Sequence, residues 1–405
     1  MTALDAFVPL LVATLGGYTA FAAALAWRTS RTPVLAPPLP DDRLPTLAIV
    51  VAARDEEACI GRCLDALLAQ DYPADRLEIV VADDGSTDRT GAIVQSRILR
   101  PLALAGSNAD DAAPHAGRPD SGRPERDDPP GGPRLRLVRV PEAVGRLHGK
   151  AHALHTAIET TRAEIVLVTD ADCAAPPLWA RATAAPFADP AVGLVCGFAR
   201  IDPRPGHAFD RVQALDWTLL IGAVSALAEA GVPATGMGNN MAVRRATYDA
   251  IGGYPALPFS VTEDFTLVRA VAERTQARVR FPVGAPTTVW TLPVDGFAAA
   301  YRQRRRWARG GLAGGLPVVA AYVGLWLVHV LPLVGLVLAP GVTLACVAAK
   351  TLADGLLLTA VLRRVGGRVR WADVLGLEAF LFAYLVTLPV ALVLWPRIGW
   401  KGRSL

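Results

Sequence analysis

Two carboxylates two positions apart, Asp170 and Asp172 in "VTDADC", follow a run of strongly apolar residues. In extended chain, positions i and i+2 face the same side. Carboxylates placed so repel one another unless a cation offsets them, and oxygen ligands of this kind suit Mg2+ or Mn2+. Such a cation would also clamp a diphosphate. The competing reading is a solvated loop. Asp83 and Asp84 in "VADDGSTD" end another apolar run. Asp-Gly followed by Ser86, Thr87 and Asp88 is equally good turn and capping chemistry. Glu263 and Asp264 in "SVTEDFTL" precede an apolar helical pattern, where they also fit the acidic first turn of a helix.

Basic and amide residues accompany these acids. Lys150 in "HGKAHALH" suits a phosphate as a point charge. His148, His152 and His155 recur at helical spacing, but no glutamate stands between them as in the HExxH metal motif, so they read as solvated helix residues. In "TGMGNNMAVRR" (235–245), glycines permit close backbone approach and are followed by amides suited to sugar hydroxyls.

The elements that must position these residues alternate. "TLAIVVAA" (46–53) reads as a buried strand. Residues 56–70 read as a helix with Ile60, Cys63, Leu64, Leu67 and Leu68 on one face. A strand at 77–84 and a helix at 87–100, capped by Ser86 or Thr87, repeat the pattern. Residues 101–134 are rich in Ala, Gly, Pro, Asp and Arg and read as a disordered insertion. Strands at 135–140 and 164–173 then flank a helix at 149–161. This order predicts an α/β fold with a mainly parallel sheet covered on both faces. Ligands bind beyond the carboxyl ends of such strands, where the acidic residues fall.

The rest of the chain reads as membrane segments. Apolar residues make up 52% of 405 and charged residues only 19%, against about 25% in soluble proteins. Residues 6–27 carry no charge and are long enough to span a bilayer. Further candidate spans lie at 316–338, 340–362 and 373–395. Lys350 and Asp354 make the middle one the weakest, and they are expected to face protein or pair. No Lys or Arg precedes the first span, so it reads as an uncleaved anchor rather than a signal peptide. Arg28 and Arg31 follow it and place the main domain on the cytoplasmic side of an inner or plasma membrane. Four crossings would leave the basic tail outside, so one apolar segment is read as interfacial or re-entrant. A net charge of +4 with arginines beside apolar spans fits a membrane partner, not nucleic acid. Five scattered cysteines suit a reducing compartment.

Taken in order, "VAARDEE", "DDGSTD", "GKAHAL", "TDADC", "TED" and "QRRRW" resemble the family 2 glycosyltransferases of the GT-A fold. The likeness is to the membrane-integrated branch of polysaccharide synthases and ceramide-glucosyltransferase-like enzymes. It implies a donor that is a nucleotide-diphosphate-sugar, a lipid or glycan acceptor, and inversion at the anomeric carbon. It implies that Asp83 or Asp84 meets the nucleobase, with Ala53, Arg54 and Glu56 near the nucleoside and Lys150 near the nucleotide. Asp55 stands where the family often has Asn. Asp170 and Asp172 become the D-x-D pair, with Asp172 the principal metal ligand. Asp264 becomes the general base with Glu263 beside it, and Gln303, Arg306 and Trp307 lie by the diphosphate and acceptor. The implied organisation is an anchor at 1–28, a Pro-rich linker at 29–45, a GT-A domain at 46–310, about three membrane helices within 316–395 and a basic tail at 396–405.

Two other classes compete. A catalytically silent nucleotide-sugar sensor would not need the intact D-x-D, TED and Q-x-x-R-W residues. A nucleotidyltransferase would open with a glycine-rich loop where this chain has "AARDEEA". Within "YRQRRRWARGG", the remaining arginines Arg302, Arg304, Arg305 and Arg309 read as membrane-surface residues. On that reading Arg304→Ala costs much less than Arg306→Ala.

Overall fold

The computed structural model describes residues 3–31, 35–99, 132–143, 147–395, 399–400 and 403–404. Of the expected insertion, residues 101–131 lie outside the described residues, as does most of the tail. Helix α1 (Ala3–Arg31) opens the chain and runs into the stretch read as linker. The α/β unit follows as β1 (Leu47–Ala53), α2 (Ile60–Leu68), β2 (Leu77–Asp83), α3 (Thr90–Ile98), β3 (Arg134–Arg139), α4 (Lys150–Glu159), β4 (Ile165–Asp170), α5 (Trp179–Ala184), β5 (Val192–Cys196) and β6 (Phe198–Ile201). It continues with α6 (Ala208–Ala228), β7 (Asn240–Arg244), α7 (Arg245–Ala250), α8 (Glu263–Arg274), β8 (Arg278–Arg280), β9 (Thr288–Thr291) and α9 (Gly296–Gly311). Three long helices, α10 (Leu316–Leu338), α11 (Pro340–Arg364) and α12 (Trp371–Leu394), precede a short ribbon of β10 (Gly399–Trp400) and β11 (Arg403–Ser404).

The main sheet has the order β3-β2-β1-β4-β7-β5-β8. Strands β3, β2, β1 and β4 run parallel, and β5 pairs parallel with β8. Only β7 runs against its two neighbours. Ile49, Val50 and Val51 are all fully buried, which requires cover on both faces and explains a strand without polar alternation. One face of α2 is closed by Ile60, Cys63, Leu64 and Leu67.

The cap expected at Ser86 or Thr87 is elsewhere. Helix α3 starts at Thr90, whose N–H donates to Asp88 Oδ1 at 2.9 Å. Ser86 and Thr87 instead bind Asp55 across the loops: Asp55 N–H donates to Ser86 Oγ, and Thr87 N–H donates to Asp55 Oδ1 at 2.8 Å. Two loop ends at the top of the sheet are thereby tied into one platform.

Helices α1, α10, α11 and α12 are each long and apolar enough to cross a membrane. Lys350 and Asp354 inside α11 are buried and paired, as was expected of them. Lys350 Nζ donates to Asp354 Oδ2 at 2.8 Å and to Glu378 Oε2 at 2.6 Å, and Tyr18 Oη donates to Asp354 Oδ1. This cluster ties α1, α11 and α12 together. Helix α6 packs on α11 and α12 and joins the sheet unit to the apolar helices.

Candidate active site

Strand β4 ends at Asp170; its parallel partner β1 ends at Ala53, and β2, next to β1, ends at Asp83, all on the same edge of the sheet. Asp172 lies past the strand, in a turn closed by Cys173 N–H to the Asp170 carbonyl at 3.1 Å. The strand expected to run to residue 173 therefore stops short, and alternation along it does not place Asp172. Contacts made outside the strand do: Thr291 of β9 donates to Asp172 Oδ2 at 3.0 Å. Burial raises the Asp172 carboxyl above its ordinary range, and the charge of Asp170 adds to the effect. Two crowded carboxylates of this kind are relieved by a cation. Among the described residues no three His, Cys, Asp or Glu side chains form a full coordination shell. Mg2+ and its analogues commonly use one or two carboxylates plus substrate phosphates, so the residues present fit such an ion.

Lys150 at the start of α4 lies between the acidic groups. Its Nζ is 2.6 Å from Asp170 Oδ1 and 3.2 Å from Glu263 Oε1, and it donates to the Gly238 carbonyl. Burial alone would favour the neutral amine, but Asp170 and Glu263 outweigh it and hold Lys150 protonated well above its ordinary range. Burial raises Glu263, Lys150 opposes the rise, and Asp264 adds to it. Asp264 Oδ2 accepts the Gly238 N–H at 2.7 Å and Oδ1 accepts the Phe265 N–H at 2.8 Å. Each oxygen keeps a further lone pair.

The reversed strand β7 explains why "TGMGNN" arrives here. Because β7 runs antiparallel to β4, the residues before it meet the carboxyl end of β4: Asn240 pairs with Thr169, and Thr169 Oγ1 donates to the Asn239 carbonyl. A Cβ on Gly236 would lie 2.4 Å from the Asp264 carbonyl carbon. On Gly238 it would crowd Lys150 Nζ at 3.1 Å and Asp264 Oδ2 at 3.2 Å. These glycines let the loop touch the start of α8. The amide of Asn240 does not serve a ligand: it is fully buried, donating to Phe198 and Thr287 carbonyls and accepting from Trp179 Nε1.

On the β1–β2 side, Arg54 Nη1 donates to the Asp84 carbonyl at 2.9 Å and lies 3.6 Å from its carboxylate. Asp83 Oδ1 accepts the Ser86 N–H, so the turn reading holds for this residue. Asp55 adopts φ 52°, a left-handed conformation that Asn and Asp tolerate best, which accounts for an Asp where Asn is frequent. Glu56 N–H donates to Thr90 Oγ1. His148 stacks on Phe259 and His155 meets Tyr248 Oη at 3.1 Å, so the histidines serve separate contacts.

Helix α9 divides "QRRRW" differently from the sequence reading. Burial lowers Arg306, while Glu263, Asp170 and Asp264 act against that shift; its guanidinium therefore belongs to the acidic cluster. Arg302 and Arg309 are exposed. Arg304 is not a surface residue. Its Nε and Nη2 donate to Asp216 Oδ2 at 2.7 and 2.5 Å, and both side chains are buried. Its guanidinium lies 4.5 Å over the Trp307 ring, which also meets Trp217 of α6. Gln303 Oε1 accepts from Arg304 Nη1, so Gln303 supports this pair. Gly236 and Gly238, the glycines read in the sequence as permitting close backbone approach, complete the site with Asp216 and Thr291, which were not singled out there. Asp216 carried a signal: it is one acid within the otherwise uncharged "VQALDWTLL".

Comparison with known proteins bears on the family and the fold. A model described as "Glycosyl transferase family group 2" matches residues 165–396, and one described as "Glycosyl transferase family 2" matches 48–101. The beta-monoglucosyldiacylglycerol synthase of Synechocystis sp. (strain PCC 6803) is 31% identical over 267 residues, which are 66% of this chain and 48% of that protein. The probable glycosyltransferase YdaM of Bacillus subtilis (strain 168) is 26% identical over 273 residues, 66% of this chain and 55% of its own. The chain thus spans about half the length of the curated relatives it matches. The mannosyltransferase PcManGT from Pyrobaculum calidifontis, solved in complex with GDP-Man and Mn2+, shares the fold with a TM-score of 0.58 at 23% identity, over 97% of this chain and 99% of that one.

Proposed function

The chain belongs to glycosyl transferase family 2, and we propose that it is a membrane-bound inverting enzyme that moves a sugar from a nucleotide-diphosphate-sugar to a hydroxyl on a lipid, lipid-linked or polysaccharide acceptor. The observation that carries this reading is the convergence of Lys150, Asp170, Glu263 and Asp264 at the carboxyl edge of the sheet, with hydrogen bonds and ion pairs of 2.6 to 3.2 Å joining them through Gly238.

The roles follow from the chemistry. A diphosphate at the Asp170 and Asp172 end faces Lys150 and Arg306, two cations that offset charge on the leaving group. Mg2+ or Mn2+ at Asp170 and Asp172, when bound, supplies Lewis-acid stabilisation of the same charge. Asp264, held by two backbone N–H groups, takes the proton of the acceptor hydroxyl. The acceptor oxygen bonds to the anomeric carbon as its bond to the diphosphate oxygen breaks, and the nucleoside diphosphate leaves. One displacement inverts the centre. Ala53, Arg54, Glu56, Asp83 and Asp84 form the nucleoside side, and Gln303 and Trp307 of α9 the acceptor side.

Residues 46–310 form the catalytic unit in this proposal, with membrane helices on either side and Arg28 and Arg31 holding it at the cytoplasmic face. A lipid acceptor is supported by relatives whose name describes a glucosylated diacylglycerol as product. The test is to incubate membranes carrying the chain with a panel of labelled nucleotide-sugars and to separate lipid-soluble from polymeric product. Asp264→Asn should lower transfer by about 10²–10⁴-fold, the range of general-base catalysis. Near wild-type transfer by that variant would sink the assignment.

A further inference from the structure

The turn that carries Asp170 and Asp172 is fastened from outside the main sheet, by strand β9. Trp290 N–H donates to the Ala174 carbonyl and Ala174 N–H donates to the Trp290 carbonyl, both at 2.8 Å. Strand β9 therefore grips the chain two residues past Asp172. The next residue of β9, Thr291, donates its hydroxyl to Asp172 Oδ2 at 3.0 Å. One strand holds both the backbone of the turn and the carboxylate within it.

This strand is itself firmly mounted. It pairs in parallel with β6, and Asp202 N–H donates to the Thr291 carbonyl at 2.9 Å. Arg200 of β6 lies 4.4 Å over the Trp290 ring, and its Nη1 donates to the Val365 carbonyl, just past α11, at 3.0 Å. The Thr291 backbone is thus fixed without help from its hydroxyl. Among the described residues that hydroxyl bonds to Asp172.

Asp172 depends on this contact in turn. Arg62 Nη2 holds the Asp172 backbone carbonyl at 2.7 Å, which does not set the side chain. At the carboxylate, the other donor among the described residues is the Cys173 thiol, 3.6 Å from Oδ1, and a thiol is a weak donor. A hydroxyl on Oδ2 leaves Oδ1 and a further lone pair of Oδ2 for a cation. Asp172 is half-buried and the Asp170 side chain is 36% exposed, so an ion can reach both. We infer that Thr291 is a positioning residue whose hydroxyl fixes the orientation of the Asp172 carboxylate and thereby sets the affinity of the site for Mg2+ or Mn2+. Groups that hydrogen-bond a ligating side chain are typically worth about 10–100-fold in metal affinity. The inference rests on the D-x-D reading of Asp170 and Asp172 above and adds the residue that orients the principal ligand.

The test titrates Mn2+ into the full-length protein in detergent, alone and with GDP or UDP, and reads the free ion by electron paramagnetic resonance. Thr291→Val keeps the β-branched shape that suits a strand and replaces the hydroxyl by a methyl group. It should bind Mn2+ about 10–100-fold more weakly, and the Mn2+ concentration for half-maximal transfer should rise by the same factor. Thr291→Ser keeps the hydroxyl and should bind Mn2+ close to the wild type. In chelator, Thr291→Val should melt no more than the roughly 2–4 °C lower that one hydrogen bond is worth in a unit of this size. Wild-type Mn2+ affinity in Thr291→Val overturns the inference. So does Thr291→Ser binding as weakly as Thr291→Val, which would deny the hydroxyl its role. A larger drop in melting temperature overturns it too, because the hydroxyl would then hold the fold rather than the ligand. If the wild type binds no Mn2+ under any of these conditions, or Asp172→Asn binds it equally well, the metal reading of Asp170 and Asp172 itself falls.

Discussion

Arg304 and Asp216 offer the sharpest test of how this protein is held together. Their side chains are 3% and 4% exposed, and Asp216 Oδ2 accepts two guanidinium hydrogen bonds at 2.7 and 2.5 Å. Arg304→Ala leaves the Asp216 carboxylate buried, with Tyr384 Oη at a marginal 3.5 Å as its remaining contact of note. It also strips Gln303 Oε1 of a donor and Trp307 of the cation over its ring. Breaking a buried pair from one side costs about 3–5 kcal/mol. For a unit of this size each kcal/mol shifts the melting point by roughly 2–4 °C, so the expected loss is on the order of 10 °C. The exposed neighbour Arg302→Ala should stay within about 0.5 kcal/mol of wild type. Replacing both partners by Leu should recover much of the loss, because no buried charge is then left alone. Arg306→Ala should separate the two functions of α9: transfer falls by about 10²–10³-fold, while melting changes far less than in Arg304→Ala. The assay is thermal unfolding in detergent at one scan rate beside a transfer assay. Equal melting of Arg304→Ala and Arg302→Ala, or a double variant no better than the single one, would refute the reasoning.

Two further changes probe the site. Gly236→Ala sets a Cβ against backbone at the start of α8, 2.4 Å from the Asp264 carbonyl carbon, and should cost about 1–3 kcal/mol and displace the proposed base; full transfer activity in that variant would contradict the packing argument. The raised Asp172 carboxyl has a signed consequence in chelator, where no cation offsets it. The folded protein binds this proton more tightly than the unfolded chain, so the contribution of Asp172 to stability falls as pH rises from the ordinary carboxylate range through the raised value. Asp172→Asn should therefore melt higher than wild type at neutral pH with chelator present, the gap closing below about pH 4, and a gap independent of pH would contradict it. The same variant should lose transfer that Mn2+ or Mg2+ restores only to the wild type.

Much of the architecture was legible because its signals are local. An apolar run without alternation announced β1, a four-residue spacing announced the buried face of α2, and uncharged stretches announced the long helices. The acids at Asp83, Asp170 and Glu263 were legible for the same reason, since strand ends and helix starts can be read from the residues beside them. Boundaries were less so. Thr90 rather than Ser86 or Thr87 begins α3, because those two residues are engaged with Asp55, more than thirty positions away.

The sequence by itself determined the order of strands and helices as far as residue 173, the apolar helices, and which residue types stand at the carboxyl edge of the sheet; strands β5 to β9 were not read from it. Periodicity and composition are properties of neighbours along the chain, and these features depend on nothing else. Only the tertiary structure decided which charges face which. Arg304 and Arg306 are two positions apart in one arginine run, yet one pairs with Asp216 and the other faces the Glu263 cluster. Asp172 is oriented by Thr291, 119 positions away, and Gly238 reaches Asp264 and Lys150 because β7 runs against β4. Ion pairs and hydrogen bonds are set by distance in space, and burial decides their worth. Neither quantity is written in a window of sequence.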